Sequence, residues 1–197
     1  VALREALGRR PPLTMWGMVA TPPAAPVPTS VRAGQFAALI TAGRDGLADL
    51  TAALCDVPSV SGEESALAEA LAAALTEVVA AAGAADRVTV VRRANNLVVR
   101  IEFGRAERVV LAGHLDTVPV AGNLPTRRMA GAGGEEIWGR GTVDMKAGDA
   151  VFLALIPAVL RAAAGNWDVT WVLYEAEEVA ADRNGLGHLV RDVPELV

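Results

Sequence analysis

The sequence predicts an α/β fold in which helices flank a mixed sheet. Apolar residues with helical spacing alternate along the chain with runs rich in β-branched residues, which is the pattern of this class. The run 168–174 is almost continuously apolar and is typical of a strand buried on both faces. Of the 197 residues, 52% are hydrophobic and 21% are charged, as in a globular protein that buries a core.

Composition excludes several classes of partner. The formal net charge of −5 argues against nucleic acid or an anionic membrane, because either favours a concentrated basic face. Cys55 is the only cysteine, so no internal disulfide can form, and we interpret it as a small buried hydrophobic residue. The sequence has neither the roughly 18 uninterrupted apolar residues of a membrane span nor a secretory signal. These features favour a cytoplasmic protein that acts on a small molecule.

Two regions are expected along the chain. Residues 1–44 are predicted to be a flexible extension outside the fold, because proline at high density prevents regular helix or sheet. These prolines are Pro11, Pro12, Pro22, Pro23, Pro26 and Pro28. Residues 45–197 are predicted to form one folded unit, since a chain of this length is too short for two large domains.

The folded region is predicted to begin with two helices. The first covers 47–57 and is stopped by Pro58. After a turn, Ser61 and Glu64 resemble a capping box for the second helix, which ends near Gly83. The apolar stripe of that helix consists of Leu67, Leu71, Leu75, Val78 and Val79.

Strands follow these helices. The runs 87–92 and 97–103 are separated by a short turn and predict a hairpin, and 108–112 predicts a third strand. A glycine-rich segment around 131–135 is expected to be a surface excursion. The segment 145–164 then predicts a long helix bent at Pro157, ahead of the last strand.

Ionisable residues cluster at the ends of these elements. His114 and Asp116 follow the third strand, Glu177 and Glu178 follow the last strand, and Asp144 opens the long helix. In open α/β sheets ligands gather at the carboxyl ends of strands, so we expect these side chains to meet at one edge. Imidazole nitrogen and carboxylate oxygen are donors that suit Zn²⁺, which makes metal-assisted hydrolysis of an amide the favoured chemistry.

The spacing also predicts individual roles. Asp144 is placed to bridge two ions, and Asp116 lies where it can accept the second N–H of the His114 ring. In the adjacent acidic pair, Glu178 is the expected ligand and Glu177 the expected general base. Each feature has an ordinary alternative when it stands alone: a histidine at a strand end, a solvated acidic loop, or a helix cap at Asp144.

Three runs together resemble the signature motifs of the M20 family of metallohydrolases. They are Gly113–Pro119, Gly139–Lys146 and Glu177–Glu178, which occur in the family's order. The similarity extends from about Asp45 to the last residue. The resemblance implies a partial zinc-peptidase-like catalytic domain, without the lid and dimerisation domain of the family.

The resemblance also implies a ligand set and a cofactor. His114 and Glu178 would each bind one of two Zn²⁺ (or Co²⁺) ions, and Asp144 would bridge them. Asp116, which supports His114, and Glu177, the acid/base, would be the catalytic residues. No substrate-binding residue is identified from the sequence.

The runs 120–125 and 184–187 resemble those of actinobacterial succinyl-diaminopimelate desuccinylases. That similarity implies hydrolysis of N-succinyl-LL-2,6-diaminopimelate, a small N-acyl amino acid, to succinate and LL-2,6-diaminopimelate in lysine biosynthesis. Two alternatives stay open. One is another M20 hydrolase, such as an acetylornithine deacetylase or a carboxypeptidase, and the other is a non-catalytic remnant.

The sequence departs from the family pattern in one respect. That pattern continues beyond a chain of this length, with a further acidic ligand, the lid domain through which full-length relatives form homodimers, and a final metal-binding histidine. His188 follows the third motif too closely to match that histidine, and we interpret it as an ordinary surface or helix residue. We therefore expect this chain to be a truncated fragment, inactive or nearly so by itself.

Overall fold

The computed structural model describes residues 33–162 and 165–196, which form five α-helices and six strands. The helices are α1 Ala33–Ala42, α2 Leu47–Cys55, α3 Ser65–Ala81, α4 Lys146–Arg161 and α5 Gly185–Asp192. The strands are β1 Val88–Arg93, β2 Asn96–Ile101, β3 Arg108–His114, β4 Arg127–Gly131, β5 Gly134–Trp138 and β6 Asp168–Tyr174. Short 3₁₀ turns lie at Gly43–Gly46, Ala181–Arg183 and Pro194–Leu196.

Four strands form a mixed sheet in the order β1-β2-β6-β3. The β1–β2 hairpin and the β2–β6 pair are antiparallel, whereas β3 and β6 run parallel with His114 opposite Tyr174. The predicted α/β class with a mixed sheet is therefore confirmed. Because β3 and β6 point the same way, the segments that leave their carboxyl ends emerge side by side at one edge of the sheet.

Helices cover the sheet on both faces. One face packs against α1 to α4 around a core that includes Phe36, Leu54, Leu71, Ile156 and Trp171. The other face carries a smaller cluster in which Val98 and Val172 pack against Leu189 of α5. The buried strand β6 thus has apolar partners on both sides, as its composition predicted. Among the described residues, no helix is both long and apolar enough to cross a membrane.

The predicted boundary of the flexible extension is wrong for residues 33–44. Residues 33–42 form α1, in which Phe36 and Ile40 are fully buried four positions apart on one face. This face packs on α3 and α4 and belongs to the main core. The helix is short and has no charged residue in its first or last turn to interact with the helix dipole, so we attribute its stability to tertiary packing. Residues 1–32 lie outside the described part of the chain.

One local prediction also needs correction, and the expected surface excursion proves to be part of a larger element. The capping box is wrong, because α3 begins at Ser65 with Glu64 at its N-cap and without a side-chain cap hydrogen bond. Gly62 has φ +94, so the chain turns between Ser61 and Glu64 and directs both side chains away from the helix end. The glycine-rich excursion around 131–135 is the tip of a hairpin, since β4 and β5 pair as a separate two-stranded sheet.

Candidate metal centre

Three chain segments bring ligand atoms together at the carboxyl edge of β3 and β6. His114 is the last residue of β3, Asp144 precedes α4, and Glu178 lies four residues after β6. One ligand atom from each of the three side chains lies within 4.8 Å of the others. One imidazole nitrogen and two carboxylate oxygens at this spacing form a donor set that suits a divalent ion such as Zn²⁺.

The centre is closed on one side and open on the other. His114 is buried, and its Nε2 lies 3.1 Å from Asp144 Oδ1, whose side chain is 72% exposed. A cleft on the Asp144 side is lined by Thr117, Val118, Gly139, Arg140, Gly141, Thr142, Val143, Asp144 and Glu178. A small molecule can therefore reach the ligand atoms from this cleft, whereas His114 is fixed from behind.

Asp116 lies directly behind the imidazole and is fully buried. Its backbone oxygen is 3.1 Å from His114 Nδ1, and its carboxylate Oδ1 is 3.4 Å from the same nitrogen. Its Oδ2 also accepts a 2.6 Å hydrogen bond from the Ser61 hydroxyl. The residue thus contacts the second ring nitrogen through both its backbone and its side chain, which fixes the ring orientation.

The acidic loop, residues 175–178, is held through its backbone. Four successive N–H groups of this loop each donate to a buried side-chain oxygen from another segment. The pairs are Glu175 N with Asn96 Oδ1 at 3.0 Å, Ala176 N with Glu64 Oε1 at 3.2 Å, Glu177 N with Asp116 Oδ1 at 3.0 Å, and Glu178 N with Asp116 Oδ2 at 3.0 Å. With the backbone satisfied from behind, the side chains of Glu177 and Glu178 are left on the solvent side.

Negative charge dominates the electrostatics of the centre. Burial lowers the pKa of His114, but hydrogen bonds and charge from Asp116 and Asp144 outweigh it and raise the pKa to about 9. Burial opposes ionisation of Asp116, yet its hydrogen bonds to His114, Ser61 and the loop N–H groups hold its pKa well below the usual range. Burial and then the neighbouring carboxylates raise the pKa of Tyr174, the residue opposite His114. Such a surplus of negative charge favours a cation.

A buried lysine supports the centre from below. Lys146, the only lysine of the chain, is 1% exposed, and its Nζ donates to Ser59 Oγ at 2.6 Å and to Leu115 O at 2.8 Å. Because Leu115 lies between His114 and Asp116, these bonds fix the chain that carries both residues. Asp149, one turn along α4, is also fully buried, and burial raises its pKa while it lowers that of Lys146.

The structure brings the predicted residues together to different degrees. His114, Asp144 and Glu178 converge, Asp116 lies behind them, and the side chain of Glu177 is exposed at the same edge. His188 lies on α5, where its Nε2 is 2.8 Å from Asp182 O. Sequence reasoning missed four supporting residues, which are Ser61, Glu64, Asn96 and Lys146. The fully buried Lys146 and Glu64 gave no periodic signal, although the glycine after Ser61 was a sign against a helix start.

Comparisons with known proteins agree with this geometry. Residues 110–196 match the sequence profile of peptidase family M20/M25/M40. Over 147 residues the chain is 43% identical to a Mycobacterium tuberculosis protein named provisionally as a succinyl-diaminopimelate desuccinylase, covering 75% of this chain and 38% of that relative. Over 156 residues it is 42% identical to the succinyl-diaminopimelate desuccinylase of Corynebacterium glutamicum, covering 78% of this chain and 40% of that relative.

Solved structures share the fold at lower identity. A tripeptidase from Staphylococcus aureus superposes with a TM-score of 0.52 at 22% identity, over 67% of this chain and 36% of the tripeptidase. A second protein, from methicillin-resistant Staphylococcus aureus and provisionally described as an aminohydrolase, gives 0.51 at 16% identity, over 82% and 39% of the two chains. The chain spans about two fifths of the length of the curated relatives that it matches.

Proposed function

Since the chain belongs to peptidase family M20/M25/M40, we propose that it forms part of a zinc-dependent amide hydrolase that removes a succinyl group from an amino acid. The observation that carries the proposal is the convergence of His114, Asp144 and Glu178 within 4.8 Å at an open cleft. Solvated acidic loops are common without a metal, but a buried imidazole fixed by a buried carboxylate is not expected of them.

We assign the metal ligands as follows. His114 and Glu178 would each hold one of two zinc ions, and Asp144, the most exposed of the three, would be shared between them. Asp116 is a positioning residue, because it contacts His114 rather than the cleft. Cobalt is an alternative ion, since the same nitrogen and oxygen donors accept it.

Each side chain then has a separate task in amide hydrolysis. A pair of divalent ions supplies Lewis-acid polarisation of the amide carbonyl and makes a nearby water more acidic. Glu177 takes the proton of the attacking water and delivers it to the nitrogen as the C–N bond breaks. The products are a free carboxylate, succinate, and the amine of the amino acid. The exposed position of Glu177 at the cleft edge leaves its carboxylate free to meet a substrate.

The substrate is assigned from the relatives. The Corynebacterium glutamicum relative is named for the cleavage of succinyl-diaminopimelate, and it is 42% identical to this chain over 156 residues. We therefore propose N-succinyl-LL-2,6-diaminopimelate as the substrate of the complete enzyme. Because the described residues offer three clustered ligands for two ions, we expect weak metal binding and little turnover from the 197-residue chain.

Metal binding tests the first half of the proposal. Zinc is titrated calorimetrically into the wild-type chain, Asp144→Ala, and Asp86→Ala as a matched control. Asp86 is also exposed but precedes β1, at the opposite edge of the sheet. We expect weak but measurable zinc binding by the wild type and Asp86→Ala, and loss of that binding in Asp144→Ala. Equal binding by all three variants would place the ion elsewhere and refute the ligand assignment.

Activity tests the second half. A chimera is made in which residues 33–196 of this chain replace the corresponding segment of the Corynebacterium glutamicum relative. Its hydrolysis of N-succinyl-diaminopimelate and of N-acetylornithine is then measured. We expect the chimera to hydrolyse the succinyl substrate. We expect the hydrolysis rate to fall by about 100-fold or more when the chimera carries Glu177→Gln. Preference for N-acetylornithine would favour a deacetylase. A folded, zinc-loaded chimera without any hydrolysis would favour a non-catalytic remnant.

A further inference from the structure

We propose that Glu64, Asn96 and Ser61 are positioning residues of the metal centre, which hold the acidic loop 175–178 through its backbone. This inference rests on the proposed function, because it concerns the placement of Glu177 and Glu178. All three residues lie outside the segment 110–196 that matches the family profile. They belong to the α2–α3 loop and to the start of β2.

Glu64 is the first of these contacts. Its carboxylate is fully buried, although glutamate is seldom buried without a strong partner. Oε1 accepts from Ala176 N at 3.2 Å and from Gly62 N at 2.9 Å, and Asn95 Nδ2 lies 3.5 Å from Oε2. The carboxylate therefore links the α2–α3 loop to the acidic loop across 112 residues of sequence.

The residue that Glu64 binds has an unusual backbone conformation. Ala176 has φ +59, in the left-handed region that non-glycine residues rarely adopt. Such a conformation persists only where surrounding contacts favour it. Asn96 on one side and Asp116 on the other bind the neighbouring N–H groups, so Ala176 is held in a continuous series of four side-chain contacts. This conformation turns the chain immediately before Glu177 and Glu178.

Ser61 acts on the same loop through Asp116. Its hydroxyl donates to Asp116 Oδ2 at 2.6 Å, and that oxygen also accepts from Glu178 N. The carboxylate of Asp116 is therefore braced on one side by Ser61 and binds the acidic loop on the other. Removal of the hydroxyl leaves Asp116 able to rotate, and both the His114 ring and Glu178 depend on its position.

Amide hydrogen exchange of the ¹⁵N-labelled chain, read residue by residue by NMR, tests this assignment directly. Glu64→Gln keeps the size of the side chain but replaces a charged acceptor with a neutral one, so exchange at Ala176 N is expected to rise about tenfold. Glu63→Gln makes the same chemical change at the exposed neighbouring position and is the control. Unchanged exchange at Ala176 in Glu64→Gln, or an equal rise in Glu63→Gln, would overturn the proposal.

Zinc affinity provides a second readout. Glu64→Gln and Ser61→Ala are each expected to lower the affinity about tenfold, as is usual when a residue behind a ligand is changed. Ser61→Thr keeps the hydroxyl, so its zinc affinity should be close to that of the wild type. Hydrogen exchange at core amides such as Val99 N serves as a control for overall stability. It must stay as slow as in the wild type, because faster exchange there would indicate a general loss of stability. If Glu64→Gln fails to fold, the assignment is decided by hydrogen exchange at Glu178 N in Ser61→Ala. We expect that exchange to be faster than in the wild type.

The two hypotheses fail in different ways. A wild-type chain that binds no zinc contradicts the proposed function, yet the exchange comparison still shows whether Glu64 and Ser61 hold the loop. A chain that binds zinc equally well in the wild type, Glu64→Gln and Ser61→Ala keeps the proposed function and refutes the positioning roles.

Discussion

The competition between a proton and a metal ion at His114 gives the sharpest quantitative prediction. The flanking carboxylates raise the pKa of this imidazole to about 9, so a metal ion must displace a proton to bind at neutral pH. The fraction of neutral imidazole rises about 30-fold between about pH 6.5 and about pH 8.0 for a pKa near 9. For an unperturbed histidine the same change is only about twofold. Apparent zinc affinity should follow these fractions.

The assay is a zinc competition titration against a chelating indicator of known affinity at each pH. Calorimetry in two buffers with different heats of protonation counts the protons released, and we expect about one per ion at neutral pH. Burial raises the pKa of Asp149, so its ionisation adds negative charge near His114 as the pH rises and acts in the same direction. The titrations are therefore repeated with Asp149→Asn. If the apparent zinc affinity of that variant rises by about threefold or less between about pH 6.5 and about pH 8.0, the account of His114 is refuted.

The same pKa sets the sign of a stability change in the metal-free chain. Because the pKa of His114 rises from 6.5 to about 9 on folding, the protonated ring stabilises the folded state. This contribution is complete below pH 6.5 and is lost as the pH rises through about 9. The free energies of unfolding of the wild type and of His114→Asn, measured by urea denaturation at several pH values, should therefore converge in alkaline solution. Parallel curves across this range would contradict the predicted linkage.

Three further predictions concern buried positions of the chain. Gly113→Ala should destabilise the chain by about 1–3 kcal/mol in thermal or urea denaturation, because a Cβ there would lie 2.2 Å from Asp149 Oδ1. Gly133→Ala, with no atom within 4 Å of its Cβ, should change stability by less than about 0.5 kcal/mol, and equal losses would refute the packing argument. Lys146→Met should cost about 3–5 kcal/mol in urea denaturation, since it removes the donor to Ser59 Oγ and one of the two donors to Leu115 O, and it leaves the buried Asp149 without its cation. Cys55 is buried and its pKa is raised to about 12, so a thiol reagent at neutral pH should modify it only as fast as the chain unfolds.

Sequence reasoning succeeded where one local pattern was sufficient. The apolar stripe of α3, the β1–β2 hairpin and the buried strand β6 each follow from spacing and composition over 6 to 17 residues, and each is confirmed. The small buried role of Cys55 is also confirmed, since it is 2% exposed. The three motifs placed His114, Asp144 and Glu178 at the ends of elements, and parallel pairing of β3 with β6 then brings these ends together.

Prediction from the sequence failed where the residue that a side chain contacts lies far away along the chain. Ser61 and Glu64 have the spacing of a capping box, but their oxygens are engaged 55 and 112 residues downstream, by Asp116 and Ala176. Helix α1 was missed because its stability comes from contacts of Phe36 and Ile40 with α3 and α4, and proline upstream obscured a weak local signal. Neither fact is contained in a window of neighbouring residues.

The sequence by itself determined the fold class, most helices and strands, and the identity of the candidate ligands, because local periodicity and motif spacing encode these features. Only the tertiary structure decided how the ligands are supported. Buried polar groups must find partners wherever the fold brings them, so Glu64, Asn96 and Lys146 acquire their roles through contacts that span 31 to 112 residues. The candidate ligand residues are thus encoded locally, whereas the network that orients them exists only in the folded chain.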